Sequence, residues 1–385
     1  MYFVSFILKN LTRRPIRTAL TVLGLSVSVG SMIALLGISH NVESTVAEGF
    51  ERRGVDIVVL QSGVVEQTSS ELDERLVDSV VAIDGVDPKG VDAALVVLSV
   101  VQRSNGSSDP AMTIGWPASN FGFDDLTILS GRRVLEGDHR KVMIGVTVAE
   151  NLKKGVGDRI ELQEKPFEIV GIFKSFSVFE NGAIILLLPE AQEISSRPGK
   201  ITGFSIRVNK SLDHPDEDVE AVRQRINAMK DGSGRRLSAQ TTKNYVKTAS
   251  HVQIVKAMSW MVSVIAMIIS VISMLDTMIM SVLERTQEIG ILRAVGWPRS
   301  RVVKMILIEA VVLSLAAAAL GSLGAIALTY LLTLFPKVNG FIESGIAPIV
   351  IAQGFGLTLL IGLLGAAYPA IRAARLLPTE AIRHD

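Results

Sequence analysis

Four long stretches that are almost free of charge dominate this sequence of 385 residues. Each runs for 25 to 28 residues between two charged residues, and together they contain one acidic side chain, Asp276. A helix needs about 20 apolar residues to cross the hydrocarbon core of a bilayer. We therefore predict four membrane-spanning helices, at residues 18–40, 258–282, 306–334 and 347–370.

Lysine and arginine residues beside the predicted spans indicate the orientation, because short basic loops stay on the cytoplasmic side of a membrane. The segment 1–17 carries four of them, the loop 283–305 carries five and the tail 371–385 carries three. The remaining short connection, 335–346, has a single lysine. We therefore expect both termini and the loop 283–305 in the cytoplasm, and residues 41–256 outside it.

The long segment 41–256 has the pattern of an α/β domain. Apolar runs bounded by turn-forming residues predict strands at Val55–Leu60, Leu95–Val101, Phe167–Phe173, Ala183–Leu188 and Ile201–Val208. Helices are predicted at Glu71–Ile83, Thr147–Lys153 and Pro215–Met229. The predicted fold class is a membrane protein with four transmembrane α-helices and a large extracytoplasmic α/β domain inserted between helices 1 and 2.

The two ends of the inserted segment can continue spans 1 and 2 outward as helices. These ends are Asn41–Arg53 and Lys243–Lys256. A helix advances about 1.5 Å per residue, so about 13 residues reach about 20 Å. Two such rods would transmit movement between the membrane and the inserted domain; the alternative is that both segments are ordinary linkers.

The composition and motifs exclude several classes of function. With 39 Lys and Arg against 38 Asp and Glu, the chain is not a strongly basic nucleic-acid binder, and without cysteine it has no disulfide or thiolate site. Gly199-Lys200 is followed by Ile201, so no phosphate-binding P-loop is present. The five histidines are scattered. We expect no catalytic residue, cofactor or metal in this chain.

Small residues recur every four positions in several spans and predict closely packed helices. In span 4 they form the series Gly354, Thr358, Gly362, Ala366 and Ala370. Packing within or between subunits is a better explanation of this pattern than a pore. The glycines and alanine assigned to helix packing are Gly24, Gly30, Gly321, Gly354, Gly362 and Ala366.

Asp276 is a polar group inside span 2. A carboxylate near the centre of a spanning helix costs about 2.5–3.5 kcal/mol, which the surrounding Val, Ile and Leu residues can offset. We expect Asp276 to make a hydrogen bond to another helix. The functional alternative is a relay for protons or substrate.

The loop after span 2 predicts a short amphipathic helix. Ile289, Leu292 and Val295 are expected to share one face, Gly296 can end the helix in a left-handed conformation, and Pro298 prevents its continuation. Such a helix can rest on the lipid surface or dock a cytoplasmic protein.

The segment Glu284–Gly296 resembles the coupling-helix motif of MacB-like ABC permeases of the FtsX/MacB superfamily, type VII. Asp276 stands where that family often has Asn, and Trp297 replaces its usual small residue. Three further stretches are similar to the family in the same order along the chain. They are Asn10–Gly30, Gly155–Ile160 with Phe167–Phe173, and Pro369–Arg375 with Pro378–Arg383.

The resemblance implies a permease subunit that couples ATP hydrolysis by a separate cytoplasmic ABC ATPase to movement of the extracytoplasmic domain, for export by mechanotransmission. ATP and Mg²⁺ are expected on that ATPase. Further implied partners are a second copy or a related permease, membrane lipid and a periplasmic adaptor protein, in the bacterial inner membrane. The implied coupling residues are Glu284, Arg285, Thr286, Glu288, Ile289, Gly290, Leu292, Arg293, Val295 and Gly296.

Three other functions remain open at this point. A lipoprotein-releasing permease of the LolC/LolE type shares the four spans, and so does an FtsX-type signal transducer, whose outer domain is usually smaller than 41–256. A membrane receptor or scaffold without an ATPase is the third. Retention of an ATPase on purification distinguishes the permease from the receptor.

The predicted orientation can be checked by labelling, since the cysteine-free chain gives no background. In intact cells, a membrane-impermeant maleimide should label Lys200→Cys, and it should reach Gln287→Cys only after the membrane is opened. Labelling of position 287 from outside, or of position 200 only from inside, would refute the orientation and the coupling role of the 283–305 loop together.

Overall fold

A computed structural model describes residues 15–64, 66–102, 108–211, 213–334 and 345–376. The chain divides into two units. The helical unit contains Met1–Asn41, Val255–Leu331 and Ser344–Asp385, and the inserted domain contains Val42–Ile254 and Leu332–Glu343. The segment 1–14, most of the 335–346 connection and the Pro378–Arg383 motif lie outside the described residues.

The described helices differ strongly in length, and several begin with proline, whose fixed φ suits a first helical turn. In chain order they are α1 (Pro15–Arg52), α2 (Leu76–Val81), α3 (Val146–Leu152), α4 (Val178–Asn181), α5 (Leu188–Ser195), α6 (Pro215–Ala228), α7 (Thr242–Thr248), α8 (Ser250–Glu284), α9 (Thr286–Ala294), α10 (Arg299–Thr333) and α11 (Pro348–Ala374). Short 3-10 helices cover Gln67–Ser69 and Phe121–Asp125.

Four of these helices, α1, α8, α10 and α11, are long and apolar enough to cross a membrane. They include nearly all of the four predicted spans and extend beyond most of the predicted ends. The inserted domain follows α1, as the predicted fold class requires.

The two predicted rods differ from each other. Helix α1 is unbroken from Pro15 to Arg52 and contributes its last eleven residues to the inserted domain. The expectation of a second continuous rod at Lys243–Lys256 is wrong, because Ala249 adopts φ −56° and ψ 121° between α7 and α8. That extended conformation ends one helix before the next begins.

The inserted domain is built on one ten-stranded sheet with the order β12-β1-β11-β3-β4-β9-β6-β8-β5, and β7 pairs with β8 beside it. The strands are β1 (Ile57–Gln61), β2 (Leu72–Asp73), β3 (Val86–Gln102), β4 (Ser108–Trp116), β5 (Thr127–Gly131), β6 (Lys141–Gly145), β7 (Arg159–Leu162), β8 (Lys165–Lys174), β9 (Ala183–Leu187), β10 (Lys200–Ile201), β11 (Gly203–Val208) and β12 (Leu237–Thr241). Strands β2 and β10 form a separate pair.

The long strand β3 joins two parts of this sheet. Its first part, Val86–Ala94, pairs with β11, and its second part, Leu95–Gln102, pairs with β4. We call β12, β1, β11 and the first part of β3 the first half-sheet. The second part of β3 with β4, β9, β6, β8, β5 and β7 is the second half-sheet.

Apolar side chains cover the second half-sheet on both faces. One core includes Val142, Ile144 and Ile184, and the other, on the opposite face, includes Met143 and Ile185. Alternate residues of a strand point to opposite faces. All five residues of β9 are buried, so both of its faces are covered, and its sequence is a continuous apolar run. Its pattern is that of a strand enclosed on both sides.

One predicted element of the inserted domain was wrong. The segment Glu71–Ile83 was expected to be helical, but Leu72–Asp73 pairs with β10 and the helix covers only Leu76–Val81. The Asp73 carboxylate accepts a hydrogen bond from the Arg75 backbone N–H at 3.0 Å. Local capping of this kind by Asp competes with the helix.

Helices α1 and α10 approach each other closely at two glycines, Gly30 and Gly321. A Cβ added at Gly30 would lie 2.9 Å from the Gly321 carbonyl oxygen, and one at Gly321 would lie 2.8 Å from the Ser26 carbonyl oxygen. Helix α11 packs in the same way, since Gly354 abuts Ile33, Gly362 abuts Ser314 and Ala366 is fully buried. Gly24 differs from these positions, because it is exposed in this chain and an added Cβ would meet no atom within 4 Å, so its predicted packing within this chain is not seen and packing between subunits stays a prediction.

Gly30→Ala and Gly24→Ala form a matched pair that tests this contact. Overpacking typically costs about 1–3 kcal/mol, so Gly30→Ala should lower the free energy of unfolding by that amount. Gly24→Ala should be neutral or stabilise the chain by up to about 1 kcal/mol, because alanine favours the helix. Denaturant titration of the purified permease measures both, and equal effects would contradict the contact.

Asp92 is a buried carboxylate on β3, in the inserted domain. Its Oδ2 accepts a hydrogen bond from the Phe121 N–H at 2.7 Å. Burial nevertheless raises the pKa of Asp92 to about 7, against the opposing effects of that hydrogen bond and of the Arg207 charge. Ionisation of Asp92 in the folded domain is therefore unfavourable.

The pKa of Asp92 predicts a pH dependence. An unfolded aspartate has a pKa of about 3.9, so the folded state holds this proton more tightly, and its stabilising contribution is complete below pH 4. That contribution should disappear between about pH 4 and 7, lowering the stability of wild type relative to Asp92→Asn by up to about 4 kcal/mol. Hydrogen exchange of the Phe121–Asp125 amides in both full-length proteins, corrected for intrinsic rates, measures this difference in stability. A difference between wild type and Asp92→Asn that does not change with pH would contradict the effect of burial.

Candidate functional site

The loop between α8 and α10 contains the predicted coupling residues. Helix α8 ends at Glu284, and Arg285 leaves the helical conformation with φ −113° and ψ 16°. Its carbonyl oxygen accepts the Ile289 N–H at 2.9 Å, and the Thr286 hydroxyl donates to the Leu283 carbonyl oxygen at 2.8 Å. These bonds occupy backbone groups at the turn from α8 into α9.

Helix α9 ends as its sequence predicts. Gly296 has φ +102°, the left-handed region that favours glycine. The Gly296 N–H donates to the Arg293 carbonyl at 3.1 Å and the Trp297 N–H donates to the Leu292 carbonyl at 3.1 Å. This pair of bonds is the Schellman arrangement, and Pro298 follows it.

One side of α9 is packed against the helical unit. Ile289 is 2% exposed and belongs to a core that also contains Val282 of α8 and Val302 and Met305 of α10. Gly290 is buried beside it. The half-buried Trp297 packs against the same core, so the unusual tryptophan is part of the anchoring of this loop.

A partly buried ion pair holds the beginning of α9. Arg285 Nη1 lies 3.4 Å from Oε1 and 3.3 Å from Oε2 of Glu309, whose side chain is 8% exposed. Glu309 lies three residues inside predicted span 3, and no motif in the sequence pointed to this partner. The sequence signal that could have indicated this pair is a positive charge, Arg285, just after one apolar run and a negative charge, Glu309, near the start of the next.

The opposite side of α9 is exposed. Ile291 and Val295 are 51% and 77% exposed, and they continue the line of the exposed residues Glu284 and Glu288. Glu288, Ile291 and Val295 are spaced by three and four residues, which aligns them along one side of α9, and Glu284 ends α8 just before the turn. We call Glu284, Glu288, Ile291 and Val295 the exposed stripe.

The predicted docking face must therefore be corrected. Ile289, Leu292 and Val295 were expected to present one surface, but Ile289 is buried, Leu292 is half-buried and Val295 is exposed. Six residues at about 100° each turn Val295 by about 120° from Ile289. Thr286 and Arg293 are half-buried, and Arg293 Nη1 donates to the Trp297 carbonyl at 2.9 Å.

Asp276 is exposed on α8, and within the part of the chain that the structure describes it makes no hydrogen bond or ion pair. The expected bond to another helix of this chain is thus absent. Met274 and Met278 face the core, and Asp276 lies about 200° around the helix from each of them. The helix therefore turns this carboxylate away from α10 and α11.

Among the described residues, no group of three or more His, Asp or Glu side chains is arranged to hold a metal ion. The loop presents helix surface and charge instead. Its chemistry is suited to contact with another macromolecule through the exposed stripe.

Comparison with known proteins gives two family matches. The model described as "MacB-like periplasmic core domain" matches residues 18–229, and that described as "FtsX-like permease C-terminal" matches residues 260–378.

The relatives differ in how much of their length this chain covers. An uncharacterized ABC transporter permease of Methanocaldococcus jannaschii is 25% identical over 99% of this chain and 98% of its own length. The macrolide export ATP-binding/permease protein MacB of Shewanella oneidensis is also 25% identical, over 96% of this chain, but the chain spans only 58% of that relative. The periplasmic region of MacB from Actinobacillus actinomycetemcomitans matches with a TM-score of 0.40 at 12% identity, covering 51% of this chain and 94% of that one.

Proposed function

This chain belongs to the family of MacB-like, FtsX-type ABC transporter permeases, and we propose that it works as the permease driven by a separate ABC ATPase bound at the α9 loop. Its four apolar helices make it a multi-pass membrane protein. In the proposed orientation the termini and α9 are cytoplasmic, and the inserted domain lies outside the cytoplasm. ATP and Mg²⁺ bind to the ATPase.

The observation that carries this proposal is the two-sidedness of α9. Ile289 and the Arg285–Glu309 pair hold one side to α8 and α10, while the exposed stripe faces outward. Large apolar side chains beside carboxylates suit a groove on a protein partner. A force on the stripe would therefore move α8 and α10 with it.

The unbroken α1 supports the direction in which that movement travels. It belongs to the helical unit as far as Asn41 and continues into the inserted domain. We infer that ATP-driven movement of the spans displaces the inserted domain, which handles exported substrate together with an adaptor protein. Stimulation of the ATPase by small hydrophobic compounds, or by lipoproteins, distinguishes export from lipoprotein release.

Asp276 supports a second permease chain in the complex. A carboxylate exposed to lipid near a helix centre costs about 2.5–3.5 kcal/mol, and the described residues of this chain do not cover it. A second copy, or a related permease, would bring polar groups to this face of α8. The proposed assembly contains two permeases and two ATPases.

The exposed stripe can be tested without disturbing the fold. Ile291→Glu/Val295→Glu places two charges in the proposed apolar contact, and retention of the ATPase on the purified permease should fall at least tenfold. Since both side chains are exposed, the free energy of unfolding should change by no more than about 0.5 kcal/mol per substitution. Quantified co-purification and denaturant titration give the two values.

Ser300→Glu is the control, because it adds a charge to an exposed position in the first turn of α10, outside α9. Ile289→Ala is the contrasting variant, expected to destabilise the helical unit by about 2–5 kcal/mol through lost core packing. Full ATPase retention by the Ile291→Glu/Val295→Glu variant would contradict the docking role of the exposed stripe. It would favour the alternative that α9 rests on lipid.

A further inference from the structure

The outer end of α1 is seated in the inserted domain by aromatic contacts. The Phe50 ring meets Tyr245 of α7 edge-on at 5.4 Å between centroids. On another side, a Cβ added at Gly49 would lie 3.2 Å from the Phe176 ring. Bulky rings therefore surround the last turns of the helix before Arg53, the first residue after it.

Arg53 contacts the first half-sheet through its backbone. Its carbonyl oxygen accepts a hydrogen bond from Arg207 Nε of β11 at 2.6 Å. The Arg207 guanidinium also lies 3.8 Å from the centroid of the Phe121 ring. The chain leaving α1 is thus bound to the strand that neighbours β1.

The Arg53 side chain contacts the second half-sheet. Nη1 and Nη2 donate to the two Glu180 oxygens at 2.6 and 2.8 Å, and Nε donates to Asp125 Oδ2 at 3.1 Å. Glu180 lies on α4, between β8 and β9, and Asp125 ends the 3-10 helix after β4. A bidentate pair with a third bond fixes the plane of the guanidinium as well as its position.

The partners of Arg53 are themselves held in place. Ser175 donates its hydroxyl to Glu180 Oε2 at 2.6 Å, and the Trp116 and Phe176 rings lie 5.8 and 5.3 Å from the Arg53 guanidinium. The side chains of Arg53 and Glu180 are 14% and 11% exposed. Water therefore competes little with the pair.

We propose that Arg53 is the positioning residue through which the end of α1 moves both half-sheets together. This inference rests on the proposed function, in which α1 carries movement into the inserted domain. The other connection, α7 to α8, is interrupted at Ala249, so α1 is the continuous path. One residue at its end holds the first half-sheet by its carbonyl and the second by its guanidinium.

Distance measurements between paired spin labels test this role in the full-length permease in nanodiscs, where the cysteine-free sequence allows specific labelling. Glu48→Cys on α1 is combined with Glu136→Cys beside the second half-sheet, or with Glu217→Cys on α6 beside the first; all three positions are exposed. The test variant is Arg53→Gln/Glu180→Gln, which removes both charges and leaves no unpaired glutamate at position 180.

In wild type, both label pairs should give one narrow distance. In the variant, the width of the 48–136 distribution should at least double, while the 48–217 width is retained. Arg53→Lys, which keeps the charge but cannot form the bidentate pair, should broaden 48–136 to a smaller extent. Arg223→Gln/Glu220→Gln is the matched control for the 48–136 width, since it removes a bidentate pair at 2.7 and 2.5 Å on α6 whose side chains are more exposed, at 30% and 43%.

An unchanged 48–136 width in both Arg53 variants would overturn the proposal. Equal broadening of both label pairs would also overturn it, because Arg53 would then support the domain as a whole. These widths are measured without ATPase, so they stand apart from the proposed function, whose failure appears as a wild-type permease that retains no ATPase. With the ATPase bound, the Arg53 variants should hydrolyse ATP at the wild-type basal rate. The stimulation of that rate by substrate should fall at least tenfold.

Discussion

Arg285 and Glu309 bring opposite charges together where α8 and α10 approach the same loop. Leaving either charge buried without its partner costs about 3–5 kcal/mol, so the start of α9 is tied to α10 more firmly than exposed charges could tie it. Ile289 adds an apolar anchor on the same side. The loop is consequently anchored to the helical unit on this side, and the exposed stripe lies on the opposite side of α9.

Close packing of two helices is also seen elsewhere in the helical unit. Gly30 and Gly321 bring the backbones of α1 and α10 together without intervening side chains. Such close approach increases the dispersion contacts that hold helices together in lipid, where apolar side chains gain little from leaving the surrounding tails. The two helices are therefore in direct backbone contact at this point.

Much of the fold could be predicted from the sequence, because a bilayer imposes length and polarity on each span and because Gly296 and Pro298 leave a helix few ways to continue. Which side of a helix meets the rest of the chain could not be predicted. Ile289 and Val295 are equally apolar, and only the packing of α9 against Val302 makes one buried and the other exposed. The partner of Asp276 could not be predicted for the same reason, because the sequence does not give the rotation of α8. Ala249 has no helix-breaking side chain, so the interruption before α8 left no signal.

The two connections between the helical unit and the inserted domain differ in their backbone. Helix α1 is the stiff member, about 57 Å long for its 38 residues, and the break at Ala249 supplies the articulation in the other connection. Bending of α1 therefore requires a break in its backbone hydrogen bonds, whereas in the other connection the chain can turn about the backbone dihedrals of Ala249.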